Sequence, residues 1–528
     1  MILALMLALQ DPLAARSDTL RPIHDALSYD ISITIPDTGA RILGVTETAW
    51  RITSAAPIRV QLDTALTVTR AAWTGERSLV RGEWSRHGEL IEFPHHHAVG
   101  DTATTRITYT GIVRDGLIIR ANIHGDRAAF ADNWPDRAHR WFPAQDQPSD
   151  KATVRFHVAI PRGWRAIALG TLERVDALRG GRTLWHYRMT HPVPVYTMVV
   201  GAGRMSVARA GDATCSGKCM PMSVWTFPQD SAWAVTGPFR RAPQMIQYFT
   251  RLVGAFPYAG LAHVESSTIF GGMENATAIF YPQEAYRNHT LSEGVVAHET
   301  AHQWFGDAVT EADWHHVWLS EGFATYFSAL WDGHVGGDSA FRGTMAAAAA
   351  DVFKSKVTDR PVLDSTVTDL PALLSSNSYP KGAWVLHQLR GIVGDSAFFQ
   401  GLRRYYERYR DGNALSSDFA AVMSGDAAQD LGWYFRQALT QPGYPQLDVR
   451  WSYADEVLTL VVRQTQKPEW GTYRIPALEL RVDGRVHRIG IYGRETTVAL
   501  PDMPRRPDTV EVDPRGWWLL QANISGAP

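Results

Sequence analysis

Only two cysteines, Cys215 and Cys219, occur in 528 residues. So few thiols exclude a disulfide-stapled scaffold and a four-thiolate zinc site, and a chain of this length folds without either. Long apolar runs are missing as well. The one segment that competes for a membrane reading, Ile2–Leu9, is eight residues long, where a bilayer-crossing helix needs about 20, so no transmembrane segment is expected. Nor is either charge in excess. With 52 Lys and Arg against 54 Asp and Glu, the net charge of −2 provides no general basic field, and nucleic acid is not an expected partner. What is present is ordinary for a folded protein: 45% hydrophobic and 20% charged residues, and aromatics numerous enough to argue against extended disorder.

Ile2–Leu9, followed by Ala14 and Ala15, reads as a signal peptide over residues 1–16, although no Lys or Arg precedes it. Export to the periplasm or the medium is therefore expected, with cytoplasmic residence as the alternative. In an exported protein Cys215 and Cys219 read as a small loop disulfide, and in a reducing compartment as two free thiols.

Periodicity divides the remainder. From Leu27 through Tyr29, Ile31, Ile33 and Ile35 apolar residues alternate with polar ones, and Ile107 and Tyr109 repeat that period, so residues 17–207 read as a β-sheet domain. Apolar positions then recur every three or four residues, making 208–440 mostly helical, and the alanine run Ala346–Ala350 suits a helix. Alternation returns in 441–528, where Asp483-Gly484 marks a tight hairpin in a terminal β-sandwich. The fold class expected is a multidomain α+β protein. Consecutive His95, His96 and His97 cannot all face one ion and read as a solvated loop.

The chemistry concentrates in the middle region. His298-Glu299-Thr300-Ala301-His302 follows Thr290 and Glu293, which have capping-box spacing, and precedes Gly306, a natural stop, so a helix is expected over about 291–305. Residues four apart share a helix face, so His298 and His302 can bind one Zn²⁺. Glu299 is turned too far to be a ligand and near enough to hold a water. Eighteen residues beyond His302 comes Glu321. Phe323, Phe327, Leu330 and Trp331 make its segment a second amphipathic helix, which could bring Glu321 back toward the histidines. Two histidines and one glutamate are the ligand set of a catalytic zinc with an open position.

The segments Val296–Asp307, Val309–Tyr326, Phe270–Asn275 and Tyr379–Leu389 together resemble the aminopeptidase N family of zinc metallopeptidases. The resemblance implies an N-terminal β-sheet domain, a thermolysin-like catalytic domain and a C-terminal β-sandwich. It also implies one zinc per chain and release of N-terminal residues from peptides with a free N-terminus. Gly271-Gly272-Met273-Glu274-Asn275 then corresponds to the family's substrate segment. Two glycines let a strand's backbone approach a bound peptide, and a carboxylate at Glu274 can pair with the substrate ammonium. Pro380 suits a first helical position, which puts Tyr379 at a helix N-terminus. In the family the tyrosine of this motif donates its hydroxyl to the oxyanion, a contact worth about 3 kcal/mol.

Asp132-Asn133-Trp134-Pro135-Asp136 looks like the family segment that completes the amine pocket, and Asn133 is chosen over Asp136. Asp307 stands where Asn is usual, Ser320 replaces an Asn, and His316 takes a position that is frequently Asp. Relatives usually continue into a helical domain that caps the cleft, so a more open site, or one covered by another subunit, is expected here. Two alternatives are an epoxide hydrolase of the leukotriene type, for which Pro371–Ser378 lacks the needed Asp and Tyr, and a non-catalytic peptide-binding member. The preferred first residue and the oligomeric state are left open.

Overall fold

The computed structural model describes residues 11–16, 22–74, 84–215 and 218–526, with the side chains of 212–219 excepted. Ile2–Leu9 and the thiols of Cys215 and Cys219 thus lie outside the described residues. The fold is mixed α+β, β-rich in its N-terminal part, helical in the middle and β again at the end, as the periodicity predicts. No helix among the described residues is long and apolar enough to cross a membrane. The chain divides into two compact units, one of Asp18–Trp314 with Tyr406–Ala414, the other of Met1–Ser17, His315–Tyr405 and Leu415–Pro528.

The first unit opens on a seven-stranded sheet in the spatial order Thr171–Leu178, Arg182–Pro194, Lys151–Pro161, Asp25–Thr34, Arg41–Arg51, Thr102–Ile112 and Leu66–Thr74. Its alternation is the one expected, with Tyr29, Ile31 and Ile33 buried between half-buried neighbours. Each such side chain contributes roughly 2 kcal/mol of burial. A second sheet runs Ser206–Cys215, Lys218–Thr226, Leu261–Ser266, Ala278–Pro282, its last three strands parallel. Helix α1, Ala242–Val253, buries Met245, Ile246, Phe249 and Val253.

Helix α2, Glu293–His302, is shorter than the sequence predicts. Its cap is Ser292, whose side chain accepts the Val295 N–H at 3.2 Å. Thr290 does not cap it, because its own N–H bonds to Ala285 O and holds it in the preceding turn. Glu293 pairs with Arg241 instead of closing a capping box.

In the second unit α3, Trp318–Lys354, contains the alanine run and is broken at Gly337, whose φ of 77° is not helical. Helix α4 spans Gly382–Val393. The terminal strands form two sheets that share one core, with Leu447, Val449 and Leu460 from one and Leu478, Leu480 and Ile489 from the other. Asp483 and Gly484, with φ of 48° and 83°, make the two-residue turn between Ile475–Val482 and Arg485–Ile491.

One buried cation ties the first sheet to the segment behind α2. Lys151 Nζ donates to Asp307 O at 2.9 Å, Ala308 O at 2.8 Å and Gly412 O at 2.9 Å. Burial pulls its pKa down, against the attraction of Asp411, Asp307 and Glu311. Lys151→Met keeps the volume and strands three carbonyls, so a loss of about 3 kcal/mol is expected in denaturant unfolding. A midpoint unchanged from wild type would remove this anchor from the account.

Candidate metal and peptide site

Within the first unit α2 places His298 and His302 one turn apart, their Nε2 atoms 3.1 Å from each other. His302 Nδ1 lies 3.1 Å from Phe305 O, which favours the proton on Nδ1 and turns Nε2 toward His298. The two Nε2 atoms can share a proton across this gap or bind one cation together. A tetrahedral ion with ordinary zinc–nitrogen bonds would hold these atoms about 3.3 Å apart, so the pair fits zinc.

Glu299 projects beside them and limits what can pass over it. A Cβ on Gly272 would stand 2.2 Å from Glu299 Oε1, so only glycine lets this backbone lie across the carboxylate. The segment is held by exchange of both backbone hydrogen bonds between Met273 and Phe280, at 2.8 and 2.9 Å. Gly271 and Gly272, ahead of that pair, remain exposed and half-buried. Ligand atoms of Glu274, Glu299 and His302 all lie within 4.8 Å of one another, and the three residues are buried.

Gln303 fixes this arrangement, and the motif analysis missed it. Its Nε2 donates to Glu274 O at 2.8 Å and to Asp307 Oδ2 at 2.7 Å, while its Oε1 accepts the Thr277 N–H at 2.9 Å. Asp307 is fully buried, and burial followed by the negative charge of Glu274 pushes its carboxyl well above the usual range. Its surroundings therefore favour the protonated form.

Asn133 does not fill the role expected of it. It has no exposed surface, its Nδ2 donates to Met198 O at 2.9 Å, and its Oδ1 accepts Trp141 Nε1 at 2.8 Å, so it braces the chain around it. The neighbouring Asp132 instead reaches the residues just before Gly271, accepting the Ile269 N–H at 3.2 Å and the Thr268 hydroxyl at 3.3 Å. An acidic residue one position before the chosen Asn was the available signal.

The second unit brings Glu321 and Tyr379 together. The Tyr379 hydroxyl donates to Glu321 Oε1 at 2.8 Å. This contact depends on a close crossing of α3 and α4, since a Cβ on Gly322 would lie 2.8 Å from Gly382 Cα and one on Gly382 2.9 Å from Gly322 Cα. Pro380 is not a first helical residue. It lies inside a wide helical turn, Asn377–Lys381. Having no N–H, it leaves Ser376 O free, and Lys381 N–H takes that carbonyl at 3.0 Å. His316 accepts the Ser416 N–H on Nδ1 at 3.2 Å and reaches Ala15 O through Nε2 at 2.8 Å, which makes it a brace ahead of α3.

Residues 242–437 match the Peptidase family M1 domain. This chain carries a peptidase family M1 domain. The α2 histidines, Glu274, Glu299, Glu321 and Tyr379 all fall inside it. The chain is 26% identical over 510 residues to probable M1 family aminopeptidase 1 of Encephalitozoon cuniculi, covering 89% of this chain and 57% of that protein. Aminopeptidase N of Streptomyces lividans is 28% identical over 392 residues, covering 68% of this chain and 42% of that one. This chain thus spans less than two thirds of the length of these curated relatives. The M1 zinc metallopeptidase of Deinococcus radiodurans superposes with a TM-score of 0.71 at 25% identity, covering 81% of this chain and 97% of that one. A variant of the same Deinococcus protein, bound to a Tyr-Ser-Ala substrate, gives 0.70 at 23% identity, covering 80% and 95%.

Lys381, two residues past Tyr379, is buried in the M1 domain and its Nζ has no hydrogen-bond partner among the described residues. Burial lowers its pKa from 10.5 to about 7. Between those values the unfolded chain holds a proton that the folded one lacks, so stability rises with pH across that window. Lys381→Met should be more stable than wild type at pH 7 and should lose Lys381's contribution to that rise. Parallel pH profiles from unfolding titrations would contradict this.

Proposed function

We propose that this chain is a zinc-dependent aminopeptidase that hydrolyses the N-terminal bond of peptides carrying a free amine. One observation carries the reading: Glu274, Glu299 and His302 crowd their ligand atoms within 4.8 Å beside the paired Nε2 atoms of α2. Crowded carboxylates next to two coordinating nitrogens need positive charge, which a metal and an ammonium group would supply together.

In this reading His298, His302 and Glu321 hold the ion. Zinc, when bound, would polarise the scissile carbonyl and acidify a water. Glu299 accepts a proton from the attacking water and passes it to the leaving amine. Tyr379 turns its hydroxyl from Glu321 to the carbonyl oxygen as negative charge develops there. Glu274 accepts hydrogen bonds from the substrate ammonium, which restricts cleavage to the first bond. Gly271 and Gly272, lacking side chains, leave a strand edge on which the substrate backbone can lie. The relatives named as aminopeptidases support this reading.

Glu299→Gln is expected to lower kcat by at least about 10³-fold with zinc content retained, and Tyr379→Phe by about 10²- to 10³-fold. Glu274→Gln should act mainly on KM for free-amine substrates. Steady-state kinetics with aminoacyl anilides, beside metal analysis of each variant, measures all three. Equal cleavage of N-acetylated and free peptides would reject the exopeptidase reading.

A further inference from the structure

We infer that His124, Asp230 and Glu265 form a separate structural site for a divalent first-row transition ion, for which zinc is the probe. They come from three segments of the first unit. His124 lies in the turn between strands Leu117–Ala121 and Arg127–Ala131, Asp230 stands ahead of the short helix Ser231–Thr236, and Glu265 is on the strand Leu261–Ser266. One ligand atom from each lies within 4.8 Å of the others, and His124 Nε2 is 2.5 Å from Asp230 Oδ2. None of the three belongs to the site described above.

The groups are already turned toward one another. Asp230 makes no side-chain hydrogen bond to the helix that follows it, which is what an Asp in that position ordinarily does, and faces His124 instead. The His124 loop is held by Asn122, whose Oδ1 accepts the N–H groups of His124 and Asp126, each at 3.0 Å.

A second observation points to a missing cation. Glu265 has no exposed surface; its Oε2 accepts the Phe227 N–H at 2.8 Å, while its buried Oε1 is matched by no N–H donor among the described residues and the carboxyl lies within hydrogen-bond reach of the Asp230 carboxyl. Burial, the Asp230 charge and that carboxyl–carboxyl contact push this group up to about 10, with Glu284 adding to the effect. The hydroxyl of Tyr286, also fully buried and without a partner, feels both carboxylates. A buried carboxylate beside another carboxylate is costly alone and is favoured beside a divalent ion. One imidazole with two carboxylates suits zinc and its neighbours, whereas calcium and magnesium prefer oxygen alone. His124 and Asp230 keep partial exposure, with side chains 22% and 11% accessible, so an ion has a way in.

The test uses the full chain, stripped with a chelator, equilibrated with zinc, desalted and analysed for metal per chain. Wild type should hold one zinc more than Asp230→Asn and one more than His124→Ala. Both variants should retain wild-type hydrolysis and should lose a zinc-dependent rise in Tm that wild type shows. Equal metal content in wild type and both variants would overturn the site and leave Glu265 as a carboxyl that shares its own proton with Asp230. Because the readout is a difference between variants at these positions, it is independent of whether the α2 histidines bind zinc, which His298→Ala reports separately.

Discussion

Two imidazoles whose Nε2 atoms face each other 3.1 Å apart must be held in exact orientation, and much of the first unit is arranged around them. The orientation of His302 comes from Phe305 O, which requires the chain to turn just after α2. That turn puts Gln303 where it can bind Glu274 O, Thr277 N–H and Asp307 at once. Asp307 and Ala308 in turn offer their carbonyls to Lys151, on the central strands of the large sheet. A continuous set of buried hydrogen bonds therefore runs from a coordinating nitrogen to the sheet. In such a set each member fixes the next, and a single unmatched donor would cost more than a typical bond contributes.

Close backbone approach is the second constraint. At Gly272 the backbone ahead of the Met273–Phe280 bridge crosses directly over Glu299, and at Gly322 and Gly382 two helices meet where any side chain would separate them. In both places the absence of a Cβ brings a functional carboxylate into position. Glu299 lies under the Gly272 backbone, and Glu321 lies within reach of the Tyr379 hydroxyl. Gly272, from a separate segment, and Gly322, beside Glu321, are thus part of how Glu299 and Glu321 are aimed.

Legibility in the sequence followed the range of the interactions involved. Helix and strand regions were readable because period is local, and the histidine pair was readable because four residues make one helical turn. The Asp483-Gly484 hairpin needs only its own two positive φ angles. The start of α2 was misplaced because Thr290 and Ser292 are both plausible caps, and the choice is made by Ala285 O, a contact the spacing does not encode. Pro380 was misread for a similar reason, since a wide turn that transfers Ser376 O to Lys381 looks in sequence like an ordinary helix start. Gln303, Lys151 and Asp132 went unseen because most of their partners lie 26 or more residues away along the chain. Asn133 was chosen by residue type alone, and its amide is consumed by Met198 and Trp141.

Asp307 shows how an apparent departure from a family pattern can leave the physics unchanged. An ionised carboxylate at this position would add negative charge close to Glu274 and Glu299 in a water-poor interior. Burial and the Glu274 charge oppose that by favouring the protonated form. A protonated carboxyl has one hydroxyl donor and a carbonyl acceptor, which is close in shape and capacity to the Asn that usually stands there. The Gln303 amide donates to it as it would to an Asn carbonyl. Asp307 therefore keeps the hydrogen bond to Gln303 behind α2, while its burial opposes a further negative charge beside Glu274 and Glu299.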